Sequence, residues 1–159
     1  WEDAAREAPA SVRVVVARIG VVLGPGHGAF DFFRRPFLEG RGAVLGSGAQ
    51  WVPWVHVDDV VGLLVTALED ERYRGVVNVV APGPVRHREL AAALAASAGT
   101  PGAGTSCADA EPADAVHARL GPAAEMIVTS QRMVPRRALD LGFRFRHAQL
   151  TSAVDDLAR

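Results

Sequence analysis

Across 159 residues, 17 arginines and no lysine face 18 acidic residues, giving a net charge of −1 at pH 7, and 49% of the chain is hydrophobic. That balance offers no long-range field for nucleic acid or an anionic membrane surface, while the apolar share is enough for the core of one globular domain or a large piece of one. With no lysine, one tyrosine (Tyr73) and one cysteine (Cys107), the chain can hold no Tyr-Lys pair, no Schiff-base or P-loop lysine and no internal disulfide.

Trp1 to Ala8 reads as the end of a helix that Pro9 stops. Val12 to Ile19 is β-branched without clean alternation, which predicts a strand apolar on both faces inside an α/β sheet. Gly20, Gly24, Gly26 and Gly28, four glycines within nine residues, predict a sharply bent loop that lets a neighbour approach its backbone. Ala29 to Leu38 has helical spacing, and a second glycine-rich turn over Leu45 to Gln50 leads into Trp51 to Val57. Asp58 or Asp59 is the expected N-cap of a helix over Val60 to Glu69. Val76 to Val80 is a second buried-type strand, and a helix is expected from about Arg86 to Ala98.

Ser97 to Ala110 reads as a flexible loop. Pro112 to Thr129 is helical with a break at Gly121-Pro122, Pro135 starts a further helix, and an amphipathic helix ends near Leu157. The longest apolar runs, such as Val60 to Leu68, are too short to span a bilayer. The order of elements indicates an α/β fold with an appended helical part, divided at 1–80 and 81–159. A single cysteine indicates a reducing, cytoplasmic setting.

Four stretches stand in an informative order: Ala17 to Pro25, Leu45 to Trp51, Trp54 to Val60, and Val77-Asn78-Val79. Together they resemble the C-terminal half of an extended short-chain dehydrogenase/reductase of the NAD-dependent epimerase/dehydratase superfamily. Trp1-Glu2, the Gly-Ser-Gly-x-Gln-Trp turn, and Ser130 to Pro135 followed by Gly142-Phe143-Arg144-Phe145 narrow the resemblance to SDR39U1-like epimerase family proteins. The last section of those proteins, matching 112–157 here, is a domain of unknown function (DUF1731-like). The resemblance implies a Rossmann-like sheet whose dinucleotide fingerprint and catalytic Tyr-x-x-x-Lys lie upstream of Trp1. Gly24 to Gly28 follows a strand but lacks the Gly-x-Gly-x-x-Gly spacing.

The resemblance makes Ile19, Gly20, Val21 and Val22 the cofactor-facing residues at the nicotinamide end, against the plain reading of a strand-to-helix turn. It implies NAD(P), with NADP favoured, in the intact protein and no tight binding by this chain alone. Gln50, Trp51, Trp54 and Arg41 are the candidate substrate-pocket residues, against simple packing for the tryptophans. Sugar-nucleotide members bind diphosphate through an arginine two residues before the Trp54 position, where this sequence has Val52. That departure argues for an apolar or aromatic-lined pocket.

His56 invites an acid-base role because imidazole titrates near neutrality, but a hydrogen-bonded structural histidine is the better reading. Asp58 and Asp59 are assigned to structure, Asn78 to holding a loop through backbone hydrogen bonds, and Arg34, Arg35 and Arg41 to a basic cluster. Gln131-Arg132 and Arg136-Arg137 are expected to tie the terminal helices to the fold. Cys107 lacks a partner for nucleophilic chemistry; no catalytic or metal-ligating residue is assigned.

The expected function is therefore part of an NAD(P)-dependent epimerase/dehydratase-like oxidoreductase acting on a small-molecule substrate, inactive alone. The alternatives are a non-catalytic cofactor-dependent regulatory module and a truncated product without an independent role. Neither nucleic acid nor membrane is an expected partner. The missing N-terminal half is, and uncovered apolar faces predict self-association.

Overall fold

A computed structural model describes residues 2–26, 28–106 and 110–159. The readings that fall on Trp1, His27 and Cys107 lie outside these residues. After α1 (Glu2–Arg6), strand β1 (Val15–Ile19) pairs in parallel with β5 (Gly75–Val79), Val15 opposite Gly75 and Ile19 opposite Val79. The strand starts three residues later than the β-branched run suggests, because Arg13 is committed elsewhere. Its guanidinium donates to the carbonyls of Ala67 and Leu68 at 2.6 Å each and of Tyr73 at 3.1 Å. It thereby binds the carboxyl end of α3 (Val57–Glu69), where unpaired carbonyls favour a cation.

The expected glycine-rich loop is a strand for its first part. β2 (Val21–Leu23) pairs in parallel with β4 (Trp54–His56), Val21 opposite Trp54. Gly20 is the pivot between the two pairings: its amide donates to Val79 O at 3.1 Å, and the next amide, of Val21, to Pro53 O at 2.6 Å. A run of glycines announces bending, but not that the chain resumes pairing one residue later. A short antiparallel pair, β3 (Trp51–Val52) with β6 (Val85–Arg86), completes the described strands; a two-residue strand leaves no periodic signal.

Helix α2 (Ala29–Leu38) begins and ends as its spacing predicts, and α4 (His87–Ser97) comes within a residue of prediction at each end. They pack on each other and bury Phe30, Phe37, Leu90 and Leu94 with Leu23, Trp54 and Val154 in one core. A second core gathers Val55, Leu63, Tyr73, Val77 and Val79 between α3 and the β1–β5 pair. The remaining helices among the described residues are α5 (Ala113–Leu120), a 3₁₀ turn at Gly121–Ala124, α6 (Glu125–Val128), α7 (Arg136–Asp140) and α8 (Leu150–Leu157). The break expected at Gly121-Pro122 is this 3₁₀ turn. Among the described residues, no helix is long and apolar enough to cross a membrane.

Candidate functional site

The carboxyl ends of β1 and β5 meet at Ile19 and Val79, and in parallel α/β sheets ligands lie beyond such ends. The amides of Gly20 and Val21 are both committed to carbonyls of the protein, so ligand contact there falls to other groups. The Ile19 side chain is 47% exposed and offers an apolar surface. Val21 packs against the first core and Val22 against the second.

Beside this edge stands a cluster built on the start of α3. The N-cap is His56, not Asp58 or Asp59: its ring Nδ1 accepts from the Asp58 amide at 3.1 Å. Imidazole is rarely read as a cap, but an unprotonated ring nitrogen offers the same acceptor as a carboxylate. Asp59, 1% exposed, turns away and accepts from two later amides, Arg146 at 2.7 Å to Oδ1 and His147 at 3.0 Å to Oδ2. That grip lays His147 over His56, ring centroids 3.7 Å apart. Burial, then the proximity of His147, holds the His56 imidazole below its ordinary range.

His56, Asp58 and His147 bring ligand-type atoms within 4.8 Å of one another. The capping bond weighs against a metal ion, because a neutral ring accepting at Nδ1 carries its hydrogen on Nε2 and has no second lone pair. The cluster is better explained as a clasp between α3 and the tail. Asp59→Asn keeps the shape but replaces one acceptor with a donor that opposes a backbone N–H. It should therefore cost about 2–3 kcal/mol, read as a lower urea midpoint at unchanged slope; an unchanged midpoint would remove the clasp from the account.

A cavity of about 750 Å³ opens between α2, α4, Glu111 and Arg119 near the end of α5. Phe33, Phe37, Leu45, Ala91 and Leu94 supply apolar wall, while Arg34, Arg35, Arg41 and Arg119 stand against Asp31 and Glu111. Arg35 and Arg41 share the one carboxylate of Glu39, Arg35 Nε at 2.7 Å, and together hold it below the usual carboxylate range. Arg119 donates to both oxygens of Glu111 at 3.0 and 2.8 Å. Arg34 is tied to Ser97 through Nε at 3.3 Å to Oγ and Nη2 at 3.2 Å to the carbonyl. His87 also lines this cavity. It is 3% exposed, its Nδ1 accepts from the Leu45 amide at 3.4 Å, and its Nε2 is buried without a partner among the described residues. Burial pushes its pKa down to about 4.

The four candidate substrate residues are not gathered into this cavity, which only Arg41 lines. Gln50 is buried and fixes its loop, with Nε2 donating to Leu45 O at 2.7 Å and Ile127 O at 3.3 Å, and Oε1 accepting from Ser47 Oγ at 3.1 Å. Trp54 is 1% exposed, and its ring N–H donates to Gly83 O at 2.9 Å. Trp51 remains half-buried between two cations, with the Arg86 guanidinium carbon 3.6 Å from its ring centre and that of Arg132 5.3 Å away. Guanidinium groups absent at Val52 are thus supplied beside it by β6 and the tail. Asn78 donates to Val134 O at 3.1 Å, and Arg137 to Arg72 O at 3.2 Å, both tying the tail down. The sequence reading missed His87 and His147; a lone histidine inside a helix start or a tail carries no local signal of what it will face.

Two family models match the chain: the NAD dependent epimerase/dehydratase family over residues 2–80, and a domain of unknown function, DUF1731, over residues 112–157. Epimerase family protein SDR39U1 of Mus musculus is 40% identical over 99% of this chain and 52% of its own length. Its chloroplastic homolog in Arabidopsis thaliana is 40% identical over 97% of this chain and 43% of its own. The crystal structure of the human epimerase family protein SDR39U1 (isoform 2) with NADPH superimposes with a TM-score of 0.90 at 38% identity, covering 99% of this chain and 52% of that one. The chain spans about half the length of the curated relatives it matches.

Proposed function

This chain belongs to the NAD dependent epimerase/dehydratase family, and from that premise we propose that it forms the substrate-side half of an NAD(P)-dependent oxidoreductase, with Ile19 to Val22 at the nicotinamide end. The observation that carries the reading is the pairing switch at Gly20, which ends β1 beside an exposed apolar side chain at the carboxyl edge of parallel strands. Those residues fit one end of a dinucleotide: an apolar surface without charge, suited to a nicotinamide ring. They do not fit the pyrophosphate, for which the Gly24 to Gly28 turn lacks the Gly-x-Gly-x-x-Gly spacing.

The bound cofactor would donate or accept the hydride. This chain's residues do the rest of their share: Ile19 covers one side of the ring, and the cavity beyond α2 holds and dehydrates the substrate. This chain supplies no Tyr-Lys pair, because lysine is absent and Tyr73 is fully buried, with a phenol that burial pushes above its ordinary range. NADP is favoured because the human relative was crystallised with NADPH. The outer face of α3, where Val61, Leu64, Val65 and Leu68 are exposed, suits packing against the other half of the family fold or, without it, self-association. The single cysteine favours a reducing, cytoplasmic setting.

A chimera in which this chain replaces the matching half of human SDR39U1 tests the assignment. We expect it to bind NADPH with micromolar affinity by nicotinamide fluorescence, and Ile19→Asp to weaken binding about tenfold. A folded chimera with no affinity, or an Ile19→Asp variant equal to the parent, overturns it.

A further inference from the structure

The cavity behind α2 holds an unmet hydrogen-bond donor. Leu45 N–H points at His87 Nδ1, so the neutral ring carries its hydrogen on Nε2, the atom that is buried with no acceptor among the described residues. Native proteins rarely leave such a group unpaired, since its desolvation goes uncompensated. Phe33 stands edge-on against the imidazole, ring centroids 5.9 Å apart and 72° between planes. A carbonyl oxygen entering the cavity that His87 lines would supply that acceptor. Around His87 the wall is apolar, while four arginines against two acids give the lining a positive excess. A volume of about 750 Å³ is ample for a small organic ligand.

We propose that this cavity binds an oxo acid with a flat apolar body, its carbonyl oxygen accepting from His87 Nε2–H and its anionic group facing Arg35 and Arg41. His87 is thereby a specificity residue: it distinguishes a carbonyl from a methylene at the buried end. The assignment rests on reading this chain as the substrate side of a hydride-transfer protein. The rim arginines act differently, because one Glu39 carboxylate serves both of them and leaves a net positive charge for an anion of either kind.

The probes are 4-oxo-4-phenylbutanoate and 4-phenylbutanoate, which differ only in the ketone oxygen, titrated calorimetrically into the 159-residue chain without cofactor. We expect the oxo acid to bind about tenfold tighter, a difference of about 1.4 kcal/mol. His87→Asn keeps an acceptor for Leu45 N–H but has no distal donor, and it should erase the difference. His87→Gln restores a distal N–H and should recover part of it. Arg41→Ala should weaken both probes equally. Should His87→Asn fail to fold, the Nε2–H proton resonance of the unaltered chain decides: it should shift with the oxo acid and stay unmoved with 4-phenylbutanoate. Equal affinity for the two probes, a difference that survives in His87→Asn, or a resonance indifferent to the oxo acid overturns the proposal. Because no cofactor is present, ketone-selective binding beside a chimera that ignores NADPH would sink the hydride-transfer reading and leave the cavity assignment standing; the reverse pair of results would do the opposite.

Discussion

Gly20→Ala is expected to destabilise the chain by on the order of 3 kcal/mol, the largest effect of any single added methyl group in the fold's central turn. A β-carbon at this position would sit 2.0 Å from Pro53 O and 2.8 Å from Val80 Cγ1. The carbonyl cannot retreat, because it accepts from the Val21 amide at 2.6 Å and so fixes the start of the β2–β4 pair. Relief requires either β1 to slide against β5 or the Pro53 segment to move, and each breaks part of a parallel ladder. The requirement is close approach and not a left-handed conformation, since Gly20 is absent from the glycines with positive φ. Urea unfolding of the two proteins reads the effect. Gly26→Ala is a contrasting control: its φ of 83° carries a conformational penalty, but among the described residues, its chain neighbours aside, nothing lies within 4 Å of an added β-carbon. It should cost only about 1 kcal/mol. A Gly20→Ala protein as stable as the parent would mean that the chain does not switch strand partners at this residue.

Acidification from pH 6.5 to pH 4 is expected to remove about 3 kcal/mol of stability through His87 alone. The sign follows from where the proton binds first. Unfolded imidazole protonates near pH 6.5, whereas the buried ring resists until about pH 4; between those values the unfolded chain binds more protons, so stability falls as pH falls. The stabilisation is complete above pH 6.5 and levels off below about 4. Two and a half pH units at about 1.36 kcal/mol per unit give the size. His56, also held low by burial, adds in the same direction. Glu2, Glu39 and Asp70, whose carboxyls arginines hold low, lose their pairing at lower pH and are solvent-exposed, so they contribute little. Unfolding free energies of the parent and His87→Asn at pH 7, 6, 5 and 4 should converge as the pH drops. Parallel curves would show that His87 protonates in the fold as easily as in the unfolded chain.

Helices were legible where spacing and stop signals agreed, as at Ala29 to Leu38 with Glu39-Gly40 behind it, and in the break at Gly121-Pro122. The paired strands β1 and β5 were legible because β-branched runs without alternation have few other uses, although β1 is half-buried to exposed and not covered on both faces. What stayed hidden was set by partners distant in sequence. β3 and β6 exist because residue 51 meets residue 86, and Arg13 leaves β1 because α3 ends beside it. Among the candidate site residues, Trp54 and Gln50 have the composition of a pocket, yet Gly83, Leu45 and Ile127 claim their polar atoms. Arg41 does reach a cavity, in company with His87, which no local pattern distinguishes from any other helix-start residue.

The most direct test of the central reading is calorimetric titration of the 159-residue chain with NADPH and with NADH, beside the chimera that restores the rest of the family fold. A chain that forms only the substrate side and the nicotinamide end should show no saturable binding of either dinucleotide below the millimolar range, while the chimera binds NADPH at micromolar concentration. Micromolar binding of NADPH by the chain alone would contradict the account.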